Sequence, residues 1–215
     1  MRFPRWRLVG TARHLLSALV ALCVFAAAGS AAAGTLERVS SPCGDTLTQP
    51  FLPWLDPGYY AFTPNGGLEN GLTGWSSSGG ARVVAGNESY AVHGAADAYS
   101  LDLPPGASAT TPSICIATLS SVGRLFVRNT GSSLSTLRVD VQYTTVLGIR
   151  MSVPVGLVVG SSSWQPTLPI PLLANVLGLP LFTGGSTQIT LRFTAQGAGG
   201  SWQVDDVYVD PYKGT

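Results

Sequence analysis

Charge is scarce in this chain: Asp, Glu, Lys and Arg together make up 11% of its 215 residues. Four of the 12 basic residues, Arg2, Arg5, Arg7 and Arg13, lie near the N-terminus, whereas all 11 acidic residues follow Leu36. The rest of the chain is therefore weakly acidic with scattered arginines, which excludes the basic footprint that nucleic acid or an anionic membrane surface requires. Histidine is nearly absent as well. Beyond the N-terminal segment His93 stands alone, so any Ser-His-Asp mechanism would rest on it, and no GxSxG turn accompanies it. Asp97, Asp102 and Asp140 are acids that glycoside cleavage could draw on, but they fall among apparent surface strands with no cleft signature. No catalytic constellation emerges, and the reading is that of a protein that is not an enzyme.

Cysteine is equally sparse, with Cys23, Cys43 and Cys115 the three present. Cys23 falls in an apolar run from Leu15 to Ala28 that follows the N-terminal arginines and precedes Ala31-Ala32-Ala33. A basic region, a short apolar stretch and a small-x-small site predict a secretory signal peptide over residues 1–33, too short to serve as a transmembrane segment of the mature chain. Export places Cys43 and Cys115 in an oxidising compartment, where an isolated pair reads as one disulfide. A loop of that length is worth roughly 4 kcal/mol in the chain-entropy model. With both thiols bridged and one His left, a zinc site of the usual Cys/His kind is not expected.

What is abundant is Gly, Ser, Thr and Pro, with turn signals about every ten residues. That spacing predicts an all-β antiparallel sandwich. Residues 34–64 form a lead-in packed on the sandwich, polar at first and then dense in Pro and aromatics. Residues 65–211 form the sandwich itself. Strands are expected at residues 81–85, 100–103, 125–129, 135–144, 150–159, 187–195 and 202–210. In LRVDVQY (137–143), Leu137, Val139, Val141 and Tyr143 should face inward and Arg138, Asp140 and Gln142 outward. TQITLRFTA (187–195) alternates likewise, and Pro154 places the 150–159 strand at an edge or a bulge. PIPLLANVLGLPLF (169–182) is apolar but broken by Pro and Gly, and reads as a hydrophobic loop over one end of the sandwich.

SWQVDDVYV (201–209) carries two adjacent carboxylates, Asp205 and Asp206, inside an apolar strand. Trp202 and Val204 share one parity and Val207 and Val209 the other, so a β-bulge at Asp205-Asp206 is expected to restore one inward face.

GLENGLTGW (67–75), SSSWQPTLPIPL (161–172) and SWQVDDVYV, in this order and spacing, resemble secreted bacterial β-sandwich modules of the galactose-binding-domain-like, carbohydrate-binding-module type. Leu68 stands where that family usually has Phe. The resemblance covers about residues 65–211 and implies a jelly-roll fold with a non-catalytic role in binding carbohydrate or a cell-wall polymer. It also implies a structural Ca²⁺ held by Glu69 and one of Asp205 and Asp206, with backbone carbonyls completing the shell. The alternative for the Asp pair is a bulge whose carboxylates cap backbone N–H groups or meet an arginine such as Arg192. For a ligand, Trp54, Tyr59 and Tyr60 in the lead-in and Tyr90 and His93 in the 86–100 loop are the candidate contacts. An extracellular structural or adhesive protein without a small ligand is the other functional class that this composition allows.

Overall fold

The computed structural model describes residues 43–117, 121–145, 147–172 and 186–211. The signal peptide, the first part of the lead-in and residues 173–182 of the apolar loop lie outside them. Among the described residues fourteen strands and one 3-10 turn (Leu52–Trp54) build two antiparallel sheets, the all-β sandwich expected from the turn spacing. Among the described residues no helix is long and apolar enough to cross a membrane.

The first sheet contains β1 (Leu47–Thr48), β2 (Tyr60–Phe62), β4 (Arg82–Ala85), β5 (Tyr99–Leu103), β8 (Val122–Asn129), β11 (Gln165–Pro166), β12 (Ile170–Pro171) and β14 (Trp202–Asp210). The second contains β3 (Ser76–Ser78), β6 (Ser108–Thr110), β7 (Ile114–Ala117), β9 (Thr136–Thr144), β10 (Arg150–Val158) and β13 (Ser186–Gln196). The lead-in is thus part of the fabric, since β2 pairs with the last strand and β1 with β2.

Alternation places the core. Leu137, Val139, Val141 and Tyr143 of β9 and Ile189, Leu191 and Phe193 of β13 point inward against Leu101, Leu103, Leu125, Val127, Trp202 and Val204 of the first sheet. Asp140 is on the outward parity yet buried, because the Arg138 guanidinium folds over it, with Nη2 2.6 Å from its Oδ1. β10 is an edge strand and also carries a register shift between Pro154 and Gly156, the two places where a missing N–H is tolerated. Cys43 and Cys115 are bridged, with Cα atoms 5.7 Å apart, so the chain just ahead of β1 in the first sheet is tied to β7 in the second.

A second, smaller apolar cluster lies on the outside of the first sheet. Phe51, Tyr60, Val122, Phe126, Trp164 and Tyr208 form it, with Trp54, Phe62 and Val92 packed against it. Arg124 is stacked over the Phe51 ring at 4.1 Å and forms an ion pair with Asp56, whose other hydrogen bonds come from Gly58 N–H and the Tyr60 hydroxyl.

Candidate functional site

The β14 strand is paired along one edge with β8 throughout, whereas its other edge is shared. Trp202–Val204 pair with β5 and Tyr208–Val209 with β2. The handover falls at Asp205-Asp206, where the register shifts and Asp206 takes a left-handed φ of 45°. This is the bulge that parity requires: Trp202, Val204, Val207 and Val209 all enter the main core. In the gap between β5 and β2, Val207 exchanges backbone bonds with the turn that follows β2, accepting from Thr63 N–H and donating to Gly66 O.

Both carboxylates are 0% exposed. Asp205 accepts N–H bonds from Glu88 (2.8 Å) and from Asp206 (2.9 Å), so both its oxygens are engaged. Burial, reinforced by the Asp206 charge, pushes Asp205 up to about 9 despite those N–H bonds. Asp206 accepts His93 N–H at 3.1 Å through Oδ2, while its buried Oδ1 has no partner among the described residues. Burial lifts Asp206 to about 7, opposed by that N–H bond and by the His93 ring, and supported by the charges of Glu88 and Asp97. Glu88 is itself buried and spends its two oxygens on Tyr90 and Val92 N–H groups, which shapes the 86–98 loop.

That loop brings His93 and Asp97 to Asp206. The imidazole stacks on Phe62 with centroids 3.8 Å apart, and its Nδ1 lies 2.7 Å from Asp97 Oδ2. Ligand atoms of His93, Asp97 and Asp206 all lie within 4.8 Å of one another. Gly67 backs the group: a Cβ there would sit 3.1 Å from Asp206 Oδ1 and 3.9 Å from Asp97 Oδ2. Of the expected ligands, one of the Asp pair, Asp206, is at this group, and Glu69 is not. Glu69 turns its Oε1 to the N–H groups of Ala98 and Tyr99, and Asp205 has no free oxygen to offer. Arg192 is not the partner of the pair either, since its guanidinium donates to Ser108 Oγ. His93 and Asp97 stand beside Asp206 where Glu69 was expected, and the folding of the 86–98 loop brings them there. Three side-chain donors, one of them an imidazole nitrogen, fit poorly with Ca²⁺, which takes 6–8 hard oxygens.

Of the aromatic ligand candidates, Trp54, Tyr60 and Tyr90 lie on the outside of the first sheet. Tyr60 is 2% exposed with its hydroxyl bound to Asp56, so it belongs to packing rather than to an open platform. Tyr59 is half-buried against the main core. Trp54 packs edge-on against Tyr90, centroids 4.9 Å apart, and Tyr90 remains 49% exposed with its hydroxyl donating to Trp164 O.

Sequence reasoning missed the opposite face. On the outer surface of the second sheet, Gln142 and Thr144 on β9, Arg150 and Ser152 on β10, and Gln188 and Thr190 on β13 are brought side by side by the antiparallel register. With Ser113, Tyr143, Met151 and Ile189 they line a cleft of about 570 Å³. Ser113 Oγ donates to Gln188 Oε1 at 2.7 Å, and Thr190 Oγ1 to Gln142 Oε1 at 3.4 Å. Among the described residues nothing engages the two amide NH₂ groups or the Arg150 guanidinium. The outward half of each alternation was legible; that these side chains frame a cleft was not.

No protein-family model matches this chain and no curated protein matches it. Solved structures resemble it in fold. The module TmCBM61, in complex with beta-1,4-galactotriose, is 19% identical over 69% of this chain and 96% of its own, with a TM-score of 0.40. The xylanase 10B CBM22-1–GH10 modules of Clostridium thermocellum, complexed with xylohexaose, are 16% identical over 69% of this chain and 28% of their own, TM-score 0.48. The enzymatically active domain of bacteriophage CBA120 tailspike protein 4 is 13% identical over 68% of this chain, which spans 21% of that one, TM-score 0.47.

Proposed function

We propose that this is a secreted, non-catalytic binding module whose ligand is a glycan of the extracellular or cell-wall kind, held on the open face of the second sheet. The observation that carries the reading is the cleft whose rim presents two amides, a guanidinium and hydroxyls with donors still free. Planar amides and guanidinium groups bind neighbouring sugar hydroxyls in pairs, and concave sites with a few convergent polar groups are where small ligands are held. Six of the lining side chains carry hydrogen-bonding groups directed to the outer surface, which argues for recognition by hydrogen bonding more than by ring stacking. Trp54 and Tyr90 offer a stacking position on the outside of the first sheet.

Export rests on the N-terminal segment, and the disulfide is consistent with it. The Ca²⁺ that the resemblance implies finds too few hard oxygens at the group of His93, Asp97 and Asp206, since Glu69 caps Ala98 and Tyr99 instead. A second reading, an adhesive surface, draws on the exposed apolar side chains that run along and beside β10: Ile149, Met151, Leu157 and Val159.

A pull-down on insoluble polysaccharides together with a soluble glycan screen tests the proposal. Binding that is lost in Gln142→Ala/Gln188→Ala and kept in Trp54→Ala is expected. Loss confined to Trp54→Ala would move the site to the aromatic side. Concentration-dependent assembly with no glycan bound would favour the adhesive reading.

A further inference from the structure

The geometry points to a binding site for a first-row divalent transition-metal ion, of the Zn²⁺ class, formed by His93 Nδ1, Asp97 and Asp206. Three features converge there. A carboxylate oxygen, Asp206 Oδ1, is fully buried and lacks any hydrogen-bond partner among the described residues, although a buried acceptor left unpaired is costly. A cation is the partner that satisfies it. Gly67 leaves the adjoining space open, since any larger residue would put its Cβ 3.1 Å from that oxygen. The three ligand atoms already lie within 4.8 Å of one another.

The donor set selects the ion. One neutral imidazole and two carboxylates suit Zn²⁺ and its neighbours, which accept three protein ligands at about 2.0–2.2 Å with a water in the fourth place. They do not suit Ca²⁺, whose shell needs hard oxygens that Glu69 and Asp205 have committed elsewhere. Two carboxylates balance the charge of the divalent ion. An entry path exists, because exposure falls from the His93 side chain (40%) through that of Asp97 (10%) to the buried Asp206. Phe62, stacked on the imidazole, holds the ring on the site. The ion would fasten the 86–98 loop to the β14 bulge, remote from the glycan cleft of the second sheet, so its failure would leave the function proposed above standing.

The test is calorimetry and thermal melting of the full chain after chelation, with Zn²⁺, Mn²⁺ and Ca²⁺ as probes. One saturable Zn²⁺ event per chain is expected, at least tenfold tighter than Ca²⁺, with a rise in Tm on saturation. His93→Gln, an exposed change that keeps a polar side chain, should weaken Zn²⁺ at least tenfold without altering the metal-free melt. Asp206→Asn, which tolerates the left-handed backbone, should abolish the Tm rise. Co²⁺ substitution should give visible absorption that His93→Gln removes. The inference is overturned if no saturable binding occurs, if Ca²⁺ binds as tightly as Zn²⁺, or if Zn²⁺ binding survives His93→Gln unchanged, which would place it elsewhere.

Discussion

The outward surfaces of the two sheets have opposite fates. On the first sheet, Phe126 and Tyr208 face outward from β8 and β14, and the lead-in and the 86–98 loop cover them with Phe51, Tyr60, Trp54 and Val92. On the second, the outward positions of β9 and β13 are Gln, Thr and Arg, and the cleft among them is open. One strand face attracts a second layer because it is apolar; the other is free to meet a partner because it is not. The first face therefore carries stability and the buried carboxylates, and the second carries the surface that a ligand can reach.

Substitutions sharpen the contrast. Phe51→Ala, which removes a fully buried ring in contact with Trp54, Tyr60, Phe126 and Tyr208, should cost about 3–5 kcal/mol in denaturant unfolding. A cost under about 1 kcal/mol would mean that the aromatic layer is loosely held. Arg124→Met should cost about 1–3 kcal/mol, because it leaves Asp56 and the Thr167 carbonyl without their partner in a half-buried site.

The carboxylates on the covered side respond to pH in opposite senses. Asp205 and Asp206 are raised to about 9 and about 7, so the native state keeps protons that the unfolded chain has released. In chelator-treated protein, the stability they contribute is complete below about pH 4 and declines as pH climbs through 7 and 9. Asp205→Asn should flatten the alkaline part of that profile in melts taken across the range. Asp56 differs. Burial alone would raise it, but hydrogen bonds from Gly58, Tyr60 and Arg124 hold it below the ordinary carboxylate range. Its contribution is present at neutral pH and is lost on acidification. Smallest of all, Gln142→Ala/Gln188→Ala should leave unfolding within about 0.5 kcal/mol while reducing glycan retention. A large loss of stability there would show that the open face is structural after all.

The seven strands expected from the sequence are present, all of the longer ones among them, with period-two alternation marking β9, β10 and β13; the bulge was readable as well, since Val204 and Val207 cannot otherwise enter the same core. The other seven described strands, β1, β2, β3, β6, β7, β11 and β12, have two to four residues, too few for a period to register. They are strands because a long neighbour offers them hydrogen bonds. Glu69 had the same chemistry as Asp97 and a family precedent in its favour, yet it caps Ala98 and Tyr99. Nothing local distinguishes a carboxylate that will meet a cation from one that will cap a loop.

Inward and outward positions, the sandwich class and the need for a slip at Asp205-Asp206 follow from side-chain polarity repeated along a strand, a property of neighbours in the chain. The meeting of His93 and Asp97 with Asp206, and of β9, β10 and β13 around the cleft, arises from contacts between segments far apart in that chain. Those contacts depend on where β14 hands its edge from β5 to β2 and on how the 86–98 loop packs into the opening, which is settled only when the sheets close.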